Sequence, residues 1–336
     1  MPRIPLRRPS LPRPRPRGLR PRAALPPAAV LLVLLAGAAA HAHRPAPYGD
    51  RIAAPGAAGV LPAGSAGASA GGPGPDGPAT GRLAVDGLDL RIGPGLEAYD
   101  ARTGRHLWSY RRRGAAALHA VRSGGDAVVV WDDGLLTAVR PAGHRVRWHR
   151  AVPGLAAWLR GGPGGSPGPG GTPAAVGRAR TVLQPVDGPE PWLGVFTPAL
   201  AMGFRDRDGD LRWILAPPRG CAFAPDRAAR TDGAAVVARP CTGTGDGGRA
   251  RTGEVAGYGI GGRLWRLTAG PQARPDRLDG RRVAVWDGPV LGVRVVDAVR
   301  GAPVPACGDP ALRLAAEAPA ERCPAGRPPG ASPADR

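Results

Sequence analysis

Few residues of this chain have types and spacing that could hold a metal, move a proton or attack a substrate. The 336 residues include six histidines, four cysteines and 26 acidic side chains. Asp206-Arg207-Asp208-Gly209-Asp210 sets oxygen ligands at alternate positions, which suits a hard cation. Its glycine comes too early for an EF-hand, no acid follows at the last ligand position, and Arg205 and Arg207 oppose a cation, so the stretch is read as a turn. His41 and His43 offer a copper site on one condition. If an exported chain is cut after Ala40 it begins His-Ala-His, and a free amine with histidine third binds Cu(II) in a square plane. A cut after Ala42 removes that arrangement. His106, His119, His144 and His149 lie beside arginines in or near strands and read as ordinary surface residues. No Ser-His-Asp spacing stands out, and the acids Asp100, Asp132, Asp133, Asp206, Asp208 and Asp297 sit mainly in turns. No catalytic residue is assigned.

The cysteines read as structural. Cys221, Cys241, Cys307 and Cys323 contain no C-x-x-C, which argues against zinc, and an even number in an exported chain favours disulfides. Three pairings are open. Cys221–Cys241 with Cys307–Cys323 is preferred, because each pair flanks one local segment.

Export itself is read from residues 1–42. Eight arginines lie in the first 22 residues, and the uncharged run Ala23–Ala40 is centred on Leu31–Leu35. Ala38-Ala39-Ala40 and Ala40-His41-Ala42 then offer small-residue cleavage patterns. The apolar run is also close to the length of a bilayer span, so a single N-terminal anchor is the alternative to a cleaved signal. Either places the rest of the chain outside the cytoplasm. The formal net charge is +20, and every one of the 46 basic residues is arginine. With 53 glycines and 42 prolines, this composition fits GC-rich codon usage, so the charge alone is no sign of nucleic-acid binding, and no nucleic-acid motif is present.

The elements that would position any site are short strands. Val128–Trp131 runs into Asp132-Asp133-Gly134, and Val283–Trp286 runs into Asp287-Gly288. Leu83–Val85, Trp192–Phe196 and Ala234–Ala238 are similar runs, and no long helical periodicity interrupts them. Residues 43–81 read as a disordered Ala/Gly/Pro-rich linker, 82–309 as the folded part with a disordered insertion near 161–173, and 310–336 as a short helix with a disordered tail.

An internal repeat organises the folded part. Ala98–Trp108 reads AYDARTGRHLW, Ala138–Trp148 reads AVRPAGHRVRW, Gly203–Trp213 reads GFRDRDGDLRW, and Val255–Trp265 reads VAGYGIGGRLW. Val295–Pro305 reads VVDAVRGAPVP, with Asp297 and Gly301 kept and the tryptophan lost. The first two copies start 40 residues apart, near the period of a propeller blade. Gly104, Gly209 and Gly301 are placed to take positive φ in the turn, and Gly143 and Gly261 count among the structural residues of the other copies. Trp108, Trp148, Trp213 and Trp265 then wedge between neighbouring blades, each burying about 150–250 Å².

The pattern Ala-x-Asp-x-x-Thr-Gly-x-x-x-Trp, matched in full by Ala98, Asp100, Thr103, Gly104 and Trp108, resembles the tryptophan-docking repeat of pyrroloquinoline-quinone (PQQ) type propellers. Arg140, Arg205 and Gly257 stand where later copies would have the aspartate. The resemblance implies an all-β propeller of four-stranded antiparallel blades. About five repeats are recognisable, the ring is incomplete or carries diverged blades, and residues 174–197 and 219–251 are places for the latter. The family includes quinoprotein dehydrogenases and a lipoprotein subunit of the outer-membrane assembly machinery. The dehydrogenases have adjacent cysteines, a calcium site and a longer propeller, and this chain has no Cys-Cys pair. The expectation is therefore a non-catalytic exported scaffold without a cofactor, binding a protein or an anionic envelope component. A PQQ- or metal-dependent oxidoreductase and a membrane-anchored sensor ectodomain are the alternatives.

Overall fold

The computed structural model describes residues 48–54, 81–161, 172–243, 252–287 and 292–304. They form five antiparallel sheets in chain order. A short strand, β1 (Asp50–Ala53), precedes the first blade. Blade 1 is β2 (Gly81–Val85), β3 (Leu88–Ile92), β4 (Leu96–Asp100) and β5 (His106–Arg112), and β1 adds to its outer edge by pairing with β5. Blade 2 is β6 (Ala117–Ser123), β7 (Asp126–Trp131), β8 (Leu135–Arg140) and β9 (Arg145–Ala151). Two helices follow, α1 (Leu155–Leu159) and α2 (Pro173–Val182). Blade 3 is β10 (Leu183–Val186), β11 (Trp192–Thr197), β12 (Leu200–Arg205) and β13 (Leu211–Leu215). Blade 4 is β14 (Ala224–Arg230), β15 (Ala235–Arg239), β16 (Gly253–Gly259) and β17 (Gly262–Ala269). Blade 5 has three strands, β18 (Arg274–Arg277), β19 (Arg282–Trp286) and β20 (Val293–Asp297). The first strands of successive blades touch in order, β2 to β6 to β10 to β14 to β18, as the inner strands of a β-propeller do.

The uninterrupted apolar runs are explained by burial on both faces. In β7, Val128 and Val130 pack toward blade 3, while Ala127, Val129 and Trp131 pack toward blade 1. In β15, Ala235 and Val237 face blade 3, while Val236 and Ala238 face blade 5. A strand with one wet face would alternate instead. Four core clusters result, one at each junction from blade 1 to blade 5. Among the described residues, no core cluster joins blade 5 to blade 1.

Three sequence expectations change. The linker assigned to 43–81 contains β1, held by its backbone ladder to β5 and by Tyr110 OH donating to Asp50 Oδ1 at 2.7 Å. The insertion assigned to 161–173 ends inside α2: Thr172 accepts from Ala175 N at its N-cap and Pro173 opens the first turn. Apolar residues of α1 and α2 complete the core between blades 2 and 3, so the chain is a β-propeller with a helical insertion. The segments read as diverged blades supply the inner strands of blades 3 and 4, β10–β11 and β14–β15, rather than extra blades. The C-terminal helix, the Cys307–Cys323 pair, and His41 and His43 lie outside the described residues.

Candidate functional site

The repeat residues come together at the blade junctions. In each of the first four blades the tryptophan of the outer strand faces a small residue on the third strand: Ala98 faces Trp108, Ala138 faces Trp148, Gly203 faces Trp213 and Gly257 faces Trp265. A register shift follows that small residue every time. At Gly203 and Gly257 a Cβ would come within 2.3 Å of the indole, so only glycine fits beneath it. The indole then reaches the next blade's outer turn. Trp148 Nε1 donates to Asp206 O at 3.0 Å, Trp213 Nε1 to Gly259 O at 2.9 Å, and Trp265 Nε1 to Ala298 O at 2.8 Å. Trp108 lies 5.7 Å from the His144 ring of blade 2, and its Nε1 is buried without a hydrogen-bond partner.

Gly104, Gly209 and Gly301 take φ of 68°, 66° and 69°. Asp100 Oδ1 accepts from the amides of Arg102 and Thr103 and from Thr103 Oγ1, and Asp297 Oδ1 accepts from Val299 and Arg300. These amides hold both carboxyls below the usual range. The other two copies place this conformation elsewhere. In the second copy the positive-φ residue is His144, at 48°, and not Gly143. In the fourth copy it is Gly262, at 118°, and not Gly261, because Gly259 pairs directly with Gly262 and the hairpin is two residues shorter. Gly257 therefore occupies the small-residue position opposite Trp265, not the aspartate position. Only the pairing register reveals this.

The Asp206–Asp210 stretch is a turn with its own internal cation. Arg205 pairs with Asp208 at 2.7 Å and with Asp210, which holds Asp208 down at about 2. Asp206 turns inward, 7% exposed, and burial raises its pKa. It sits near Asp126, 1% exposed, whose carboxylate pairs with Arg140 and lies 3.7 Å from Arg147. Among the described residues, no group of three or more His, Cys, Asp or Glu is arranged to hold a metal. Cys221 and Cys241 form a disulfide that closes the β14–β15 hairpin of blade 4.

Two histidines assigned to the surface are not simple surface residues. His149 lies on β9 with its Nε2 2.7 Å from Asp50 Oδ2 and its ring stacked on Tyr48, tying β1 to blade 2. Burial lowers its pKa, against the pull of Asp50. His119 lies on β6, half-buried, where α2 packs against β6, β10 and β14. Its pKa is pushed down to about 4, first by burial and then by the cationic Arg180 of α2 and Arg230 of β14. Arg230 is itself lowered, by burial and by Arg277 of β18, with Asp187 acting in the opposite sense. Arg230 is exposed by area, yet its surroundings lower its pKa. Its backbone pairs with Ala235 in the β14–β15 ladder, and the carboxylate that acts on its side chain is Asp187. Sequence inspection missed this group because its members come from β6, α2, β14 and β18, with no local pattern to connect them.

His119 gives a pH signature. Its unfolded pKa is about 6.5 and its folded value lies lower, so the unfolded chain takes up the proton first. Stability is expected to fall as pH drops from about 6.5 to 4, by up to ~3 kcal/mol from this group. His149 acts in the same sense. Asp206, whose carboxyl is raised, acts oppositely, since its protonation on acidification relieves a buried charge. His119→Gln, neutral throughout, should flatten the decline of Tm between pH 7 and 4. An unchanged slope would exclude His119 as its source.

No protein-family model matches the chain, and no curated protein sequence does. Among the solved structures to which it is similar is the crystal structure of BamB from Moraxella catarrhalis, 15% identical, covering 67% of this chain and 75% of that one at a TM-score of 0.31. At that score the fold rests on the chain's own sheets, which are those of a β-propeller.

Proposed function

We propose that this chain is an exported, non-catalytic propeller scaffold that holds an acidic segment of a cell-envelope protein at the end of its channel. The observation that carries this is the set of arginines that the inner strands and α2 bring together: Arg180 and Arg230 act on His119, and Arg277, paired with Asp232 at 3.6 Å, acts on Arg230. Charges close together at a partly buried site interact more strongly than in water, and an anion there would add to the attraction that Asp187 already exerts on Arg230. The end of a propeller channel is also where its loops converge and ligands meet the fold. The Cys221–Cys241 disulfide favours an oxidising compartment. The signal-like N-terminus points the same way. No helix among the described residues is long and apolar enough to cross a membrane, so any anchor would have to lie elsewhere in the chain.

The test uses a poly-glutamate peptide and calorimetry on the full chain. Binding is expected at low salt, with weakening as ionic strength rises from about 0.05 to 0.3 M. The double variant Arg230→Gln, Arg277→Gln should bind about tenfold more weakly, a change of ~1.4 kcal/mol. Arg266→Gln, on the exposed outer strand of blade 4, should bind unchanged. Equal loss in both variants would reduce the effect to net charge. Turnover in a dye-linked oxidation with added PQQ and calcium would overturn the non-catalytic assignment.

A further inference from the structure

The tryptophan relay has a receiving end without a donor. The outer turns of blades 2, 3, 4 and 5 each receive an indole from the blade before. In blades 3 and 5 the ring lies on the left-handed glycine: a Cβ on Gly209 would come within 2.6 Å of Trp148, and one on Gly301 within 2.5 Å of Trp265. The carbonyl that accepts the indole N–H belongs to a buried residue, Asp206 or Ala298, three positions before that glycine.

Blade 1 builds the same receiver. Asp100 N donates to Arg105 O at 2.9 Å and Gly104 N to Asp100 O at 2.8 Å. Asp297 N to Ala302 O and Gly301 N to Asp297 O repeat these distances in blade 5. Gly104 has the same left-handed φ as Gly301, within one degree. Yet Ala101, the counterpart of Asp206 and Ala298, is exposed, and among the described residues nothing lies within 4 Å of a Cβ on Gly104. The copy that matches the full repeat pattern is thus the one with its shelf uncovered.

None of the chain's tryptophans covers it. The fifth copy has Pro305 where the donor tryptophan would stand. All eight tryptophans of the sequence lie in described residues, so the segments before β1 and after blade 5 supply none. None of the eight is exposed, so a second copy has no indole to offer either. We infer that the shelf formed by Ala101–Gly104 docks a tryptophan carried on an edge strand of a different protein. Its indole N–H donates to the Ala101 carbonyl and its ring lies over Gly104. This surface uses none of the residues of the basic channel group, and its test is independent of that group.

The probe is a synthetic peptide of residues 208–216, DGDLRWILA, with 5-fluorotryptophan at the position of Trp213. It is a donor strand taken from this chain. Binding to the full chain is read from its 19F resonance, which should shift saturably. The same peptide with alanine for tryptophan, carrying a fluorinated N-terminal tag, should not bind. Ala101→Trp fills the shelf from an exposed position, and Gly104→Asn puts a side chain on it while tolerating the left-handed backbone. Both variants should keep the wild-type Tm and bind the peptide at least about tenfold more weakly. Absence of binding to wild type, or equal binding by both variants, overturns the inference. So does a wild-type dimer that Ala101→Trp dissociates, since the occupant would then be a second copy.

Discussion

Trp148→Ala is expected to lower the free energy of unfolding by about 3–5 kcal/mol, the usual range for removing a buried tryptophan. Trp148 is 4% exposed and packs in the core shared by blades 2 and 3 with Leu118, Val152, Met202 and Phe204. The truncation removes that packing and the floor over Gly209, and it leaves the Asp206 carbonyl without its donor beside an already buried carboxylate. Unpaired buried acceptors are costly in their own right. Trp148→Phe keeps much of the ring contact and loses only the N–H, so a smaller loss of about 1–2 kcal/mol is expected. Urea unfolding followed by far-UV circular dichroism checks both values. Trp265→Ala should cost less than Trp148→Ala, because Trp265 is only half-buried at the last junction. An equal or reversed order would mean that the relay does not set the strength of the junctions.

Breaking the Cys221–Cys241 bridge is expected to cost about 3 kcal/mol, from the loop entropy of its sequence separation of 20. The bridge closes the two inner strands of blade 4, and Thr242 N donates to Gly220 O beside it. Part of the constraint is shared by the β14–β15 ladder, so the unfolded-state term sets an upper value. The double variant Cys221→Ser, Cys241→Ser should therefore unfold at lower urea than wild type, and wild type with reductant should match it. A variant as stable as wild type would show that the ladder alone holds this hairpin. The inner strand it secures carries Arg230, so the same variant should also weaken poly-glutamate binding if the channel group depends on β14 being held in place.

Residue pattern alone was enough to read the fold class and to single out the tryptophans that lie at the blade junctions. Runs such as Val128–Trp131 are apolar without alternation because both faces are buried, and that pattern survives in a bare sequence. The turn chemistry is equally local: an Asx acceptor such as Asp100 and a left-handed glycine such as Gly104 need only their own neighbours. Tertiary structure decided what depends on register or on distant partners. The shift of the fourth copy from Gly261 to Gly262 follows from a shortened hairpin, which residue spacing counted back from Trp265 cannot detect. The helix at Pro173–Val182 has a weak local pattern and is held by the apolar gap between blades 2 and 3. His119 and Arg230 are 111 positions apart (230 − 119), and each looks like a solvated side chain in its own strand. They affect one another only because β6 and β14, inner strands of different blades, both pack against α2.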